Sequence, residues 1–367
     1  MALTRGHLVL PEEQGMRLDV LLATMPEFAS RSAAAKAIEG GNVFVNGQPA
    51  SKKLSLREYD AIEYTVDDSA SVGPDLSAYS IPLDVRYEDE GMLVISKPRG
   101  LVCHPSPGHD GDTLVNALVA HCGKDHLANL QGDDRLGIVH RLDMDTSGLM
   151  LAAKMQDYGY ILQDGIRTRN IDRRYLSLVH GYIAKDTGYI DAPIARHPKI
   201  RLKMAVSDSQ SARSAVTTFS VLERFEAGRF DDGFTLIECK LFSGRTHQIR
   251  VHMNYIGHCV VGDPMYGRGN EKANMGLDRQ FLHSYRLSLE HPVTGEPMSF
   301  SDNLPADLQQ VLDGLSDRSL GKTAYGEQIA ELLASCERGD AADTADPALE
   351  LAPDPAAGSM GGSDVDQ

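Results

Sequence analysis

Residues 137–149 read GIVHRLDMDTSGL, with Asp143 two positions after Arg141 and ahead of a polar run of Asp145, Thr146 and Ser147 that ends at Gly148. A carboxylate beside a fixed positive charge is held ionised, because an opposite charge within a few ångströms favours its charged form. That suits a nucleophile or a general base and disfavours a general acid. A purely structural aspartate, capping a turn and paired with its arginine, would carry the same local pattern. The apolar residues before the motif (Gly137, Ile138, Val139) and after it (Leu149 to Ala153) have the composition of strands. Asp143 is therefore expected on a tight connection at a strand end, where a rigid scaffold presents a side chain to a cleft.

A second constellation lies at residues 243–252, SGRTHQIRVH, where Arg245, His247, Gln248, Arg250 and His252 alternate with smaller or apolar residues. Read with a period of two, this is a strand with one wet, charged face: Ile249 and Val251 pack, and Arg250 reaches the other side toward a buried carboxylate. A solvated edge strand with ordinary arginines is the plain alternative.

The elements that must position these groups are short strands (Met92–Ser96, Tyr175–Val179, Phe234–Leu241) interspersed with a few helical stretches such as Thr113–Ala120 and Tyr158–Arg167. Without regular βαβ spacing, this mixture favours an α+β fold built on a central mixed, mostly antiparallel sheet.

Four segments, KPRGLVCHP at 97–105, GIVHRLDMDTSGLMLAAK at 137–154, GRTHQIRVHMNYIGHCVVGDPMYG at 244–267 and FLHSYRLSLEHPVTGE at 281–296, resemble in type and order the RluA/RluD family of pseudouridine synthases, across roughly residues 80–315. The resemblance implies that Asp143 is catalytic, that Tyr175 is the active-site tyrosine, and that Arg250 is the basic partner after Ile249. It further implies that Arg141 occupies the gap left in RNA by a flipped base, that no metal or redox cofactor is required, and that the substrate is RNA. Large-subunit ribosomal RNA is the leading candidate, with transfer RNA as the alternative.

The first 65 residues read as a separate αβ module. A helix over Arg17–Leu22 is followed by a second from Ser30, its N-cap, through Ile38, then Gly40-Gly41, a strand from Val43 and an Asn46-Gly47 turn. This order resembles the small RNA-binding module of a ribosomal small-subunit protein, which implies that Arg31, Lys36, Asn46, Lys52 and Lys53 face RNA. Residues 66–80 read as a linker and 81–320 as the catalytic domain.

The net charge of −16 is unusual for an RNA enzyme, so its distribution matters. From Glu331 to Gln367 nine acids face one base, Arg338, leaving −8, half of the total. This stretch reads as a disordered acidic tail. In the body, Arg167, Arg169, Arg173 and Arg174 form one basic run. Arg196, His197, Lys199, Arg201 and Lys203 form another, and both are expected on a phosphate-binding rim.

Thirteen histidines invite a metal hydrolase built on His104, His140, His247, His252 and His258, yet they lack an HExxH or similar ligand spacing. A binding-only assembly factor is the other rival, and the retention of Asp143, Tyr175 and Arg250 together speaks against it. Five unpatterned cysteines suggest reduced thiols. The absence of a signal peptide or a long apolar span points to a cytoplasmic protein without a membrane partner.

Overall fold

The computed structural model describes residues 2–25, 27–28, 31–67, 81–106, 109, 111–132 and 135–337. In the N-terminal module, β1 (Ala2–Leu8), α1 (Leu18–Leu22), α2 (Arg31–Glu39), β2 (Val43–Val45), β3 (Gln48–Pro49) and β4 (Ala61–Asp67) form a four-stranded sheet of order β1-β4-β2-β3 under two helices. Leu18, Leu21, Leu22, Ala34, Ile38, Val43 and Ile62 close a core of its own. The expected Asn46-Gly47 turn joins β2 to β3, with Asn46 at φ +51° and Gly47 at φ +73°. Ser30 lies outside the described residues. The linker expected from residue 66 starts later, because Val66 and Asp67 pair with Leu3 and Ala2 at the end of β4; the rest of it is outside the described residues.

The larger body contains β5 (Asp84–Glu88), β6 (Met92–Lys97), α3 (Leu114–Cys122), β7 (Ser147–Ala153), α4 (Gln156–Thr168), β8 (Asp172–His180), β9 (Thr187–Asp191), β10 (Ile194–Arg196) and β11 (Met204–Val206). It continues with β12 (Val216–Phe225), β13 (Phe234–Leu241), α5 (Gln248–Tyr255), β14 (Leu282–Glu290), β15 (Pro297–Ser301), α6 (Ala306–Asp313), β16 (Ser319–Lys322) and α7 (Ala324–Glu337). A ten-stranded sheet runs β16-β12-β13-β8-β14-β7-β6-β5, with β9 on β12 and β15 on β14. Its pairings are antiparallel except where β14 meets β7, so the α+β, mixed and mostly antiparallel reading holds.

Alternation along the central strands feeds two apolar layers, because successive side chains leave a strand on opposite faces. Leu93, Ile95, Met150 and Ala152 enter one layer, and Met92, Val94, Leu149, Leu151 and Ala153 the other. Leu142, next to Asp143, belongs to the first. Strand β7 is thus buried along its whole length, which explains its unbroken apolar run. Its second residue, Gly148, has φ +111°, and a Cβ there would lie 2.2 Å from the Ser284 carbonyl oxygen. Only glycine permits that close approach of β7 to β14.

Two expectations need correction. Ile138–Val139 is not a strand; Ile138 makes a single bridge to Ala152. The acidic tail does not begin at residue 331, since α7 runs through Glu337, with Ile329 buried and Leu332 and Leu333 packed on the core. Those leucines supply apolar area that the acid count concealed. Residues 338–367 lie outside the described residues.

Candidate active site

Asp143 sits on the connection leading into β7, as its flanking sequence predicts, and several buried groups hold that loop. The Thr146 N–H donates to the Asp143 carbonyl at 3.1 Å. The Lys97 ammonium donates to the carbonyls of Met144 (2.9 Å), Leu101 (2.9 Å) and Pro98 (2.7 Å). Burial pushes the Lys97 pKa down to about 8, and three carbonyl acceptors compensate the ammonium. On the other side, Arg279 donates to the Asp145 carbonyl and to Ser147 Oγ at 3.1 and 3.2 Å while Asp307 grips it at 2.6 and 2.8 Å. Gln280 reaches Thr146 Oγ1 at 3.0 Å. With its neighbours pinned, the Asp143 carboxylate is presented in one geometry, half-buried and free to react.

Its partner is Arg250. Nη1 donates to Asp143 Oδ2 at 2.9 Å, while Nε and Nη2 meet the two oxygens of Asp263 at 2.7 and 2.8 Å. Asp263 is fully buried and also accepts the backbone N–H groups of Met265 and Tyr266 at 2.8 and 2.9 Å. Burial alone would raise the Asp263 pKa, but the guanidinium and the two N–H donors outweigh it and the net shift is downward. The buried carboxylate expected opposite Arg250 is therefore two carboxylates, one reactive and one supporting.

The segment carrying Arg250 is not the expected strand. Residues Gln248–Tyr255 form α5, entered through His247 in the left-handed region. Ile249 and Met253, four apart, face the main core, as helical periodicity requires. Gln248 and His252, polar residues of this segment, are buried and satisfied. Gln248 bonds Ser243, the Arg245 N–H, the Val216 carbonyl and Thr217; His252 bonds Thr217 Oγ1 and the Ala192 carbonyl, both at 2.9 Å.

His247 faces Asp143 as well, with Nε2 3.9 Å from Oδ1. Its Nδ1 lies 2.9 Å from the Tyr266 hydroxyl, which accepts the Met204 N–H at 2.7 Å. Burial lowers the His247 pKa, which favours the neutral ring. Tyr266 also lies under Arg250, whose guanidinium carbon is 5.2 Å from the ring centroid.

Tyr175, on β8, is buried; burial raises its phenol pKa, and both Arg173 and Asp143 lie within electrostatic reach. Arg141 is exposed beside Asp143. The structure brings Asp143 and Arg250 together and places Tyr175 within the field of Asp143. Asp263, Lys97, His247 and Tyr266 were not recognisable as supports: Asp263, between a glycine and a proline, reads as an ordinary turn residue.

The basic residues divide. Arg196, Arg201 and Lys203 belong to the β10–β11 hairpin; Arg196 and Arg201 are exposed, and Lys203 lies 5.6 Å from the Tyr266 ring centroid, beside the site. In the module, Lys36 and Lys53 are exposed. Arg31 and Arg17 converge on the buried Asp19 at 3.0 and 2.9 Å, with both arginines substantially exposed, and Lys52 pairs with Glu39. Asn46 is spent on its turn, donating to Asp60 at 2.8 Å and accepting the Ala61 N–H at 2.9 Å. The run at 167–174 splits: Arg167, paired with Asp164, and Arg169, stacked on Phe242, are exposed, whereas Arg173 and Arg174 are buried, Arg174 against Glu238, Asp172 and Tyr325.

The five histidines of the metal-hydrolase alternative do not gather among the described residues. His140 accepts the Leu151 N–H at 2.9 Å, and burial pushes its pKa down to about 3. The described residues that approach ligating geometry are Glu88, His121 and Cys122, where the Lys154 ammonium already holds Glu88 at 2.8 Å. No described helix is long and apolar enough to cross a membrane.

Residues 91–255 match the RNA pseudouridylate synthase family model, and residues 16–58 match the S4 domain. An uncharacterised RNA pseudouridine synthase of Bacillus subtilis is 41% identical over 304 residues, covering 83% of this chain and 95% of that protein. Ribosomal large subunit pseudouridine synthase D of Xanthomonas campestris is 40% identical over 325 residues (85% and 92%), and its namesake in Nitrosomonas europaea 38% over 315 residues (84% and 87%). Among solved structures, human RNA pseudouridylate synthase domain containing 1 aligns with a TM-score of 0.52 at 22% identity, over 72% of this chain and 97% of that one, a likeness of fold.

Proposed function

This chain belongs to the RNA pseudouridylate synthase family, and from that membership we propose that it isomerises uridine to pseudouridine in large-subunit ribosomal RNA, with Asp143 as the reacting group. The observation that carries the assignment is the Asp143–Arg250–Asp263 chain, in which a guanidinium fixed from behind by a buried carboxylate orients one part-buried carboxylate.

The reaction breaks the bond between uracil N1 and ribose C1′, turns the detached base, and joins C5 to C1′; the C5 proton is lost and N1 gains one. No electrons are gained or lost overall, so no redox group is demanded. The uridine must first leave the RNA stack, at a cost of a few kcal/mol offset by contacts in the pocket. Tyr175 is the aromatic platform for the flipped base. The Asp143 carboxylate then either attacks C1′ or removes the proton at C2′. In both routes Arg250 donates to it and keeps it aimed, as a fixed guanidinium fork does well. Arg141, exposed beside it, fills the space vacated in the RNA.

The S4 module and the basic β10–β11 hairpin supply RNA affinity through phosphate contacts. Arg31, Lys36, Lys52 and Lys53 act from the module, and Arg196, Arg201 and Lys203 from the hairpin. A ribosomal RNA substrate puts the work in the cytoplasm. The test is chemical mapping of pseudouridine in large-subunit ribosomal RNA and transfer RNA transcripts incubated with the purified protein. New pseudouridine in ribosomal RNA is the expected result; modification of transfer RNA alone would overturn the substrate, and modification of neither would overturn the activity.

A further inference from the structure

Arg173 is 4% exposed, and among the described residues its side chain meets neither a carboxylate nor a hydrogen-bond acceptor; its Nε is buried without a partner. A buried guanidinium N–H left without an acceptor is costly. The adjacent Arg174 shows how this fold treats an arginine it needs for stability, with Asp172, Glu238 and Tyr325 around it. Arg173 receives no such treatment, so its missing partner should arrive from outside.

Its position says which partner. Two residues before Tyr175 on β8, it leaves the strand on the same face as that ring. The Tyr175 hydroxyl lies within electrostatic reach of both Arg173 and Asp143, and His140, three residues before Asp143, also feels Arg173. The guanidinium nitrogens lie 3.6 and 3.9 Å from where a Cβ on Gly244 would stand. Arg173 thus sits where the loop carrying Asp143 meets the loop that leads into α5, under the proposed seat of the flipped base.

Resting on the function proposed above, we infer that Arg173 is a further catalytic residue, donating hydrogen bonds to a carbonyl oxygen of the flipped uracil and stabilising the base as an anion once it is detached. When the N1–C1′ bond breaks, its electron pair goes to N1 and spreads onto the two carbonyl oxygens of the ring. A fixed cation in a water-poor site favours that charge where it develops. Arg173 stays protonated throughout. The charge disappears when C5 bonds to C1′, the C5 proton departs and N1 takes up a proton.

The experiment compares wild type, Arg173→Met and Arg173→Lys in single turnovers on large-subunit ribosomal RNA transcribed with either UTP or 5-fluoro-UTP, with the C-glycoside product quantified by mass spectrometry of the digested RNA; on the fluorinated RNA C5 has no proton to lose, so that product keeps its fluorine and takes up water across C6 and N1. RNA affinity and melting temperature are measured alongside. Arg173→Met is expected to slow the uridine reaction ~10²–10³-fold, the scale for loss of one preorganised oxyanion donor. It should leave RNA affinity within about threefold and the melting temperature unchanged or higher, since an unpaired buried charge has been removed. Fluorine stabilises the uracil anion by itself, so the loss should shrink by about tenfold on the fluorinated RNA. Arg173→Lys, which keeps the charge, should recover most of the uridine rate. An equal loss on both RNAs would overturn the leaving-group role. A loss of affinity with the saturated rate intact would make Arg173 a phosphate contact, and a large fall in melting temperature for both variants would make it structural; either overturns the inference. An inactive wild-type protein would overturn the function and this inference together, whereas an active wild type with an unaffected Arg173→Met rate overturns the inference alone.

Discussion

Asp263 holds Arg250 through two hydrogen bonds of 2.7 and 2.8 Å, and this grip aims the remaining nitrogen at Asp143. With its anchor fully buried, the guanidinium cannot swing to water when RNA enters, so Asp143 meets the substrate already oriented.

Asp143→Asn should abolish isomerisation and leave RNA affinity within a few fold, because the amide keeps the shape but can act neither as nucleophile nor as base. Single-turnover assays with purified protein check this. Turnover above a mock preparation would remove Asp143 from the mechanism.

Asp263→Asn leaves Arg250 buried with a weakened partner, at a cost of up to about 3–5 kcal/mol, the range for breaking a buried pair. The pH dependence follows from the lowered pKa of Asp263. A depressed folded-state pKa contributes stability that is fully present above the unfolded value near 3.9 and is lost as pH falls through the folded value. Acid melts of wild type should therefore show a component below about pH 4 that the variant lacks. Superimposable acid limbs would mean that Asp263 does not carry this linkage.

Gly148→Ala drives a methyl group into the Ser284 backbone at a φ that L residues seldom adopt. The single parallel contact between β7 and β14 should open, costing about 3 kcal/mol or more, with activity falling because Asp143 is carried on the same connection. A thermal melt and an activity assay on one preparation decide it; wild-type values in both would show that the sheet absorbs the methyl.

Truncation after Glu337 should leave the melting temperature unchanged, whereas truncation before Glu331 removes Leu332 and Leu333 from the core and should lower it. The acidic segment removed in the first case should repel RNA phosphates, so its loss tightens non-specific binding most at low salt, where screening is weakest. Affinities across a salt series test this, and identical low-salt affinities would deny the tail its electrostatic role.

Deletion of residues 1–67, which takes the module at the end of β4, should weaken RNA binding or blur site choice without eliminating catalysis. All the groups around Asp143 lie beyond residue 80. A folded deletion protein that selects its uridine as the full chain does would remove the module from recognition.

Tyr175 was singled out by the family resemblance alone; the pairing of Asp143 with Arg250 was foreshadowed in the sequence, as were the module, the Asn46-Gly47 turn and four strands of the central sheet, β6, β7, β8 and β13. Each depends on local chemistry: an apolar run of strand length, a glycine where φ is positive, a carboxylate near an arginine. Tertiary structure decided what depends on residues far apart in the chain. The polar load of 243–252 became a helix because Ser243, Val216, Thr217 and Ala192 satisfy Gln248 and His252, and no local period reveals such distant partners. Arg173 and Arg174, adjacent and alike in sequence, parted because successive strand residues face opposite ways. One side offered Arg174 the Glu238 carboxylate, and the other left Arg173 beneath the catalytic loop with its Nε buried and unpartnered.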